Sequence, residues 1–288
     1  MSGVLLLVGC AVLVVLTLAA GAVLRTTGRQ AATRSDPTAT SLARWRWAGI
    51  GLGVVLAAGT VAVGDLGRGP LLASVAFGLS TLTGILTGEL LVRPDRGTQR
   101  HASVQPRSVK VYRPRILGRM VAAATVILIV LMIATTAGGS ADDQQRAGRW
   151  LTYTPNSTRS ASHGPWPGSF YTIPAAVALL VAGIATAVVL VTVARRPATA
   201  DRGADHAQRR RSAEAVTAAW GLAVGIPLVG FCLTAASALI GIAAAPLWWR
   251  VAGWSLLALA ASGLVLLLWC LAALVVPSRQ TAPAPIPA

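Results

Sequence analysis

Glu89 is the carboxylate that falls clearly inside an apolar stretch of this sequence, about one helical turn from the stretch's end. An ionised acid in hydrocarbon is costly unless it is paired or used, so two kinds of chemistry are open to it. It can carry a proton or a coupling ion, with the hydroxyls of Ser80, Thr83 and Thr87 on the same run as further polar ligands. Alternatively it can pair with Arg93 at i,i+4, where the long guanidinium side chain reaches the aqueous interface. The pairing reading is favoured, because no second buried acid or histidine is expected to continue a relay from Glu89.

Other chemistry is poorly supplied. His101, His163 and His206 all fall in expected loops, so no apolar run offers an axial haem ligand or an intramembrane zinc ligand. Cys10, Cys232 and Cys270 lie inside apolar runs and provide neither a disulfide framework nor a CxxC metal site. A retinal-type Schiff base would need a lysine in the last run, whereas Lys110 sits in a basic loop. No nucleophile elbow, paired-histidine zinc motif, phosphate loop or dinucleotide fingerprint occurs, and Gly253-Trp254-Ser255-Leu256 is half a hydrolase pattern without a partner. The sequence therefore calls for no cofactor and no metal, and the expectation is that the protein is not an enzyme.

The elements that would carry these residues are membrane spans. Hydrophobic residues make up 55% of the 288-residue chain and charged ones 12%, with mean hydropathy +0.66, which excludes an ordinary soluble domain. Seven apolar runs stand out, at residues 4–24, 48–64, 71–92, 117–138, 172–194, 216–244 and 251–276. Most can cross a core of roughly 30 Å, the second only just. The sixth exceeds one span and contains Pro227, which predicts a tilted, kinked helix. The expected fold is all-α, a polytopic transmembrane helical bundle forming a single unit.

The basic residues give it an orientation. Segments 25–47, 93–119, 195–211 and the tail hold 20 Lys+Arg and the alternating loops hold 5, so the N-terminus is expected outside and the C-terminus in the cytoplasm. The net charge of +16 is thereby divided among loops between spans, which excludes a nucleic-acid partner. Ala20-Gly21-Ala22 and Leu7-Val8-Gly9-Cys10 imitate cleavage motifs, yet no basic residue precedes the first run, and an uncleaved anchor is expected. The single lysine beside 24 arginines points to a GC-rich bacterial genome, hence to a plasma membrane.

Two spans carry small residues at spacing four: Ala76, Ser80, Gly84 and Gly88 in the third, and Gly49, Gly53 and Ala57 in the second. Such stripes let helix backbones approach closely, and packing is favoured over a substrate path. The segment 93–116 is a basic cytoplasmic loop with prolines at 94, 106 and 114, suited to anionic lipid headgroups, with Ser108 to Tyr112 as a short extended stretch. The external segment 139–171 begins with Asp142 and Asp143 and ends in Gly164-Pro165-Trp166-Pro167-Gly168-Ser169-Phe170-Tyr171, read as a compact aromatic cap.

Gly88-Glu89-Leu90-Leu91-Val92-Arg93-Pro94, with Arg100 to Arg107 and Tyr112-Arg113-Pro114-Arg115, resembles a cytoplasmic motif of uncharacterised actinobacterial integral membrane proteins. The external Gly164 to Tyr171 motif is similar to a second one in the same proteins. That resemblance implies an origin and no activity. Two functions follow from the residues: a non-catalytic accessory or scaffold bundle for another envelope membrane protein, or a permease component for a small or lipid-like solute. The second leans on Glu89, Pro227 and the hydroxyls of the third span, Ser74, Ser80, Thr81, Thr83 and Thr87, but no internal repeat supports it.

Overall fold

The computed structural model describes residues 37–91, 112, 114–156, 159–196 and 202–275. The first apolar run, 4–24, and most of the basic segment 93–116 lie outside the described residues, as do Lys110, Cys10 and His101. Within them the chain is all-α apart from one hairpin. The helices are α1 (Pro37–Val63), α2 (Arg68–Leu91), α3 (Arg115–Ala137), α4 (Ser169–Arg195), α5 (Arg202–Gly241) and α6 (Leu247–Val275). All six are long and apolar enough to cross a membrane.

Two helices differ from the hydropathy reading in the same way. α1 starts at Pro37, eleven residues before the apolar run that marks it, because helical backbone continues past the last apolar residue wherever capping permits. The segment 195–211, read as a basic loop, is largely helix: α5 runs 40 residues from Arg202. At 1.5 Å per residue it is about 60 Å long, twice a hydrocarbon core, so one end stands clear of the apolar layer. His206 is therefore helical rather than in a loop. Pro227 lies inside α5 with its side chain fully buried.

α5 is the central element. It packs against α2, α3, α4 and α6, and α1 lies against α2. Its apolar length is mostly Ala, Gly and Val, so neighbours approach closely: Ala218, Ala219, Ala223, Cys232, Ala235 and Ala236 are fully buried. Larger side chains from the surrounding helices, among them Leu82, Leu117, Val121, Leu128, Val189 and Leu274, fill the space around it. The outer faces carry exposed Leu, Ile and Val in quantity, such as Val126, Ile129, Val130 and Ile133 on α3. Contiguous apolar surface on that scale suits hydrocarbon rather than water.

The α1–α2 turn reverses direction through left-handed backbone at Gly64, Leu66 and Gly67, with φ of 71°, 54° and 98°. For Leu66 that conformation is strained, and its carbonyl is held by the Tyr171 hydroxyl at 2.9 Å. This bond and Arg68 Nε donating to the Phe170 carbonyl at 3.0 Å fasten the α1–α2 turn to the first turn of α4. Both belong to one end of the bundle. The other end holds the C-terminus of α2, the N-terminus of α3, the C-terminus of α4 and the start of α5.

The segment 139–171 contains a structure that the sequence reading did not anticipate. β1 (Leu151–Asn156) pairs antiparallel with β2 (Arg159–His163), Leu151 opposite His163 and Asn156 opposite Arg159, with an irregularity between Tyr153 and Asn156. Trp166 follows as an anchor, its indole N–H donating to the Thr135 carbonyl at 2.7 Å and its ring buried with Leu151, Ala235, Ala238 and Leu239.

Candidate functional site

Glu89 closes the last turn of α2, and its side chain is 1% exposed. Its carboxylate is committed on both oxygens. Oε1 accepts from the Ser212 hydroxyl at 2.6 Å and Oε2 from Arg196 Nη1 at 3.0 Å. Arg93 lies outside the described residues. The acid expected at a helix edge with a snorkelling partner thus sits in the interior, facing α4 and α5, because the extension of α5 covers the end of α2.

The arrangement continues from Arg196. Its Nη2 donates to Asp205 Oδ1 at 2.8 Å, and Asp205 Oδ2 accepts from Arg209 Nε at 2.8 Å, one turn along α5. Arg209 then turns back onto the end of α4: Nη1 donates to the Ala194 carbonyl at 2.8 Å and Nη2 to the Arg196 carbonyl at 2.7 Å. The last carbonyls of a helix have no intrahelical partner and carry the negative end of its dipole, so a guanidinium there satisfies both. Tyr112 packs against Ala194 and Ala213, with the Arg209 guanidinium 5.8 Å from its ring and the His206 ring 5.6 Å away.

Charge decides what this chain of groups can do. Glu89, Asp205, Arg196 and Arg209 are two anions and two cations, all buried, and their alternation leaves the cluster neutral. Every carboxylate oxygen accepts a hydrogen bond, three of the four from a guanidinium, which makes the buried charge tolerable, while Arg196 Nε is buried without a partner. The expectation that no second buried acid accompanies Glu89 is corrected here: Asp205 is that acid, joined to Glu89 through one guanidinium. Asp205 and Arg209 were visible only as an i,i+4 pair ahead of an apolar run, and Arg196 and Ser212 carried no local signal.

The hydroxyls grouped with Glu89 do not converge on it. Thr83 donates to the Leu79 carbonyl and Thr87 to the Thr83 carbonyl, each at 2.8 Å, so both fold onto their own helix, and Thr83 is exposed. Ser80 is buried on another face, where its carbonyl meets α1.

The small residues meet their counterparts. A Cβ built on Gly84 would lie 2.6 Å from the Trp45 carbonyl and 2.7 Å from Gly49 Cα, and one on Gly49 would lie 2.7 Å from the Ser80 carbonyl. Backbone touches backbone there. Gly53 faces Phe77 and Gly88 faces Leu42 and Trp45, while Ala76 is half-buried on the same helix.

At the opposite end, Asp142 organises its loop alone. Oδ1 accepts from the Gln144 and Arg146 backbone N–H groups, and Oδ2 from Arg146 Nε at 2.9 Å and Arg149 Nη1 at 2.6 Å. Burial by itself would raise the Asp142 carboxyl; the Arg146 N–H and the two guanidiniums outweigh it and hold it below its ordinary value. Beside it an open cavity of about 350 Å³ is lined by Leu66, Arg149, Trp150, Gly164, Pro165 and Tyr171. Among the described residues no group of three or more His, Cys, Asp or Glu is placed to hold a metal.

No family model, no curated protein and no solved structure matches this chain. The ion-pair cluster and the helix contacts therefore carry the functional argument by themselves.

Proposed function

We propose that this protein is a non-catalytic multi-pass bundle of a bacterial plasma membrane, an accessory or scaffold for another envelope membrane protein. The observation that carries the reading is the fate of Glu89. A coupling acid must exchange a proton or an ion with water during its cycle, whereas this carboxylate is buried and saturated by Arg196 and Ser212. Of the α2 hydroxyls that would line a permease path, Ser74, Thr83 and Thr87 are bonded to carbonyls of their own helix, and Thr81 Oγ1 is buried with no hydrogen-bond partner. We further propose seven spans, the first at residues 4–24, with the N-terminus outside. The charge asymmetry of 20 against 5 supports that orientation, and the resemblance to actinobacterial membrane proteins supports the origin.

Reconstitution tests the reading. Liposomes containing the native chain are expected to show no proton or solute flux beyond protein-free liposomes. Flux in the native protein that Glu89→Gln abolishes, with the variant still folded, would overturn the scaffold in favour of a permease. Reporter fusions after Arg34, Arg107 and Arg210 are expected to signal cytoplasm, and one after Ser160 the exterior.

A further inference from the structure

Two guanidiniums near the neutral cluster are left out of it. On α2, Gly88 is in contact with Trp45 of α1, and the next residue, Glu89, is bonded to Ser212 of α5. The chain neighbours of those two contacts are Arg46 on α1 and Arg211 on α5. Arg46 is partly buried, its Nε is shielded from solvent with no hydrogen-bond partner, and its electrostatic neighbour is Arg211. Glu214, the next acid along α5, makes no ion pair among the described residues; Glu89 and Asp205 are already saturated.

Two like charges held together at partial burial repel, and a buried donor without an acceptor costs free energy in addition. Both penalties vanish if a tetrahedral oxyanion sits between the two side chains, since planar guanidinium forks match phosphate oxygens. Position selects the ligand. The pair stands where α2 ends and the long polar extension of α5 begins, the level at which the headgroup of a lipid in the surrounding bilayer would lie. We infer that Arg46 and Arg211 form a binding site for the phosphate of an anionic phospholipid. The site is independent of the scaffold reading, since it uses neither Glu89 nor its partners.

Melting of the delipidated full-length chain in maltoside micelles at constant ionic strength tests this, with phosphatidylglycerol or inorganic phosphate added. Phosphatidylglycerol is expected to raise the native melting temperature in proportion to the logarithm of its concentration, as a ligand of the folded state does. Arg46→Gln and Arg211→Gln are each expected to weaken that binding roughly fivefold or more, from the loss of one headgroup cation. Without added lipid, each variant is expected to melt no lower than the native chain, because repulsion has been relieved. A response to inorganic phosphate equal to that of the lipid, lost in both variants, would support the phosphate site and assign it to the free ion. An equal lipid response in all three proteins would overturn the site. So would variants that melt well below the native chain without lipid, since the guanidiniums would then be structural.

Discussion

The two ends of the bundle use the same pair of functional groups to opposite effect. At one end Asp142 gathers Arg146 and Arg149 from within its own loop, four and seven residues away, and the guanidiniums keep part of their surface in water. At the other end Glu89 on α2 and Arg196 just past the end of α4 are 107 residues apart, and neither side chain is more than 5% exposed. A partly solvated local pair shapes a loop, because water can replace either partner at little cost. A buried long-range pair fixes which helices are neighbours, because removing one partner strands a charge where no water reaches. The sign of the charge is the same in both places, and only burial and chain separation differ.

The largest effect that would break this comparison is expected at Glu89. Glu89→Gln leaves Arg196 with a neutral partner in a dry site, and breaking such a pair costs about 3–5 kcal/mol. Folded yield in detergent and resistance to thermal unfolding are both expected to fall sharply. A surface pair at the same position would have cost at most about 1 kcal/mol, so the size of the loss separates the two pictures.

Next in size is the glycine contact that brings α1 and α2 together beside that cluster. Gly84→Leu places a side chain against the Trp45 carbonyl and the Gly49 backbone, and the helices must part. Overpacking of this kind costs about 1–3 kcal/mol, and more where backbone rather than a flexible side chain is struck. Gly51→Leu on α1 is the matched control, since nothing lies within 4 Å of its Cβ position. It is expected to leave yield and melting unchanged.

The smallest effect is expected at Asp142. Asp142→Asn should speed hydrogen exchange at the Gln144 and Arg146 amides, whose acceptor it weakens, while leaving the melting of the helices unchanged. Acid should do the same. Because the folded carboxyl titrates below its ordinary value of 3.8, its contribution is complete above that pH and is lost as pH falls through the lower folded value. Exchange at those amides is thus expected to be flat from neutrality to about pH 5, after correction for intrinsic rates, and to accelerate only in stronger acid.

The same contrast explains what the sequence made legible. Apolar runs marked the six described helices, since burial in hydrocarbon is written locally as composition. Helix ends were less visible, because hydropathy stops at the membrane and backbone hydrogen bonding does not. Asp36-Pro37 is a start signal for α1, and Asp205 with Arg209 an i,i+4 pair in the extension of α5, yet both sat in segments counted only for positive charge. Gly49 and Gly84 were legible as stripes, while their pairing follows from the fold. Glu89 was recognisable as a costly residue, but its partners lie on α4 and α5, beyond any local spacing rule. The hairpin was hidden because its strands are short and carry few large apolar residues, Leu151 and Tyr153 alone.

A double-mutant cycle on Glu89 and Arg196 measures whether Glu89 is a structural member of a neutral buried cluster. Glu89→Gln, Arg196→Gln and the double variant are compared by unfolding, with liposome flux as a parallel readout. The structure predicts that each single change is strongly destabilising and that the double variant loses less than the sum, with a coupling of roughly 0.5–3 kcal/mol. Additive effects within about 0.5 kcal/mol, together with proton flux that requires Glu89, would contradict it.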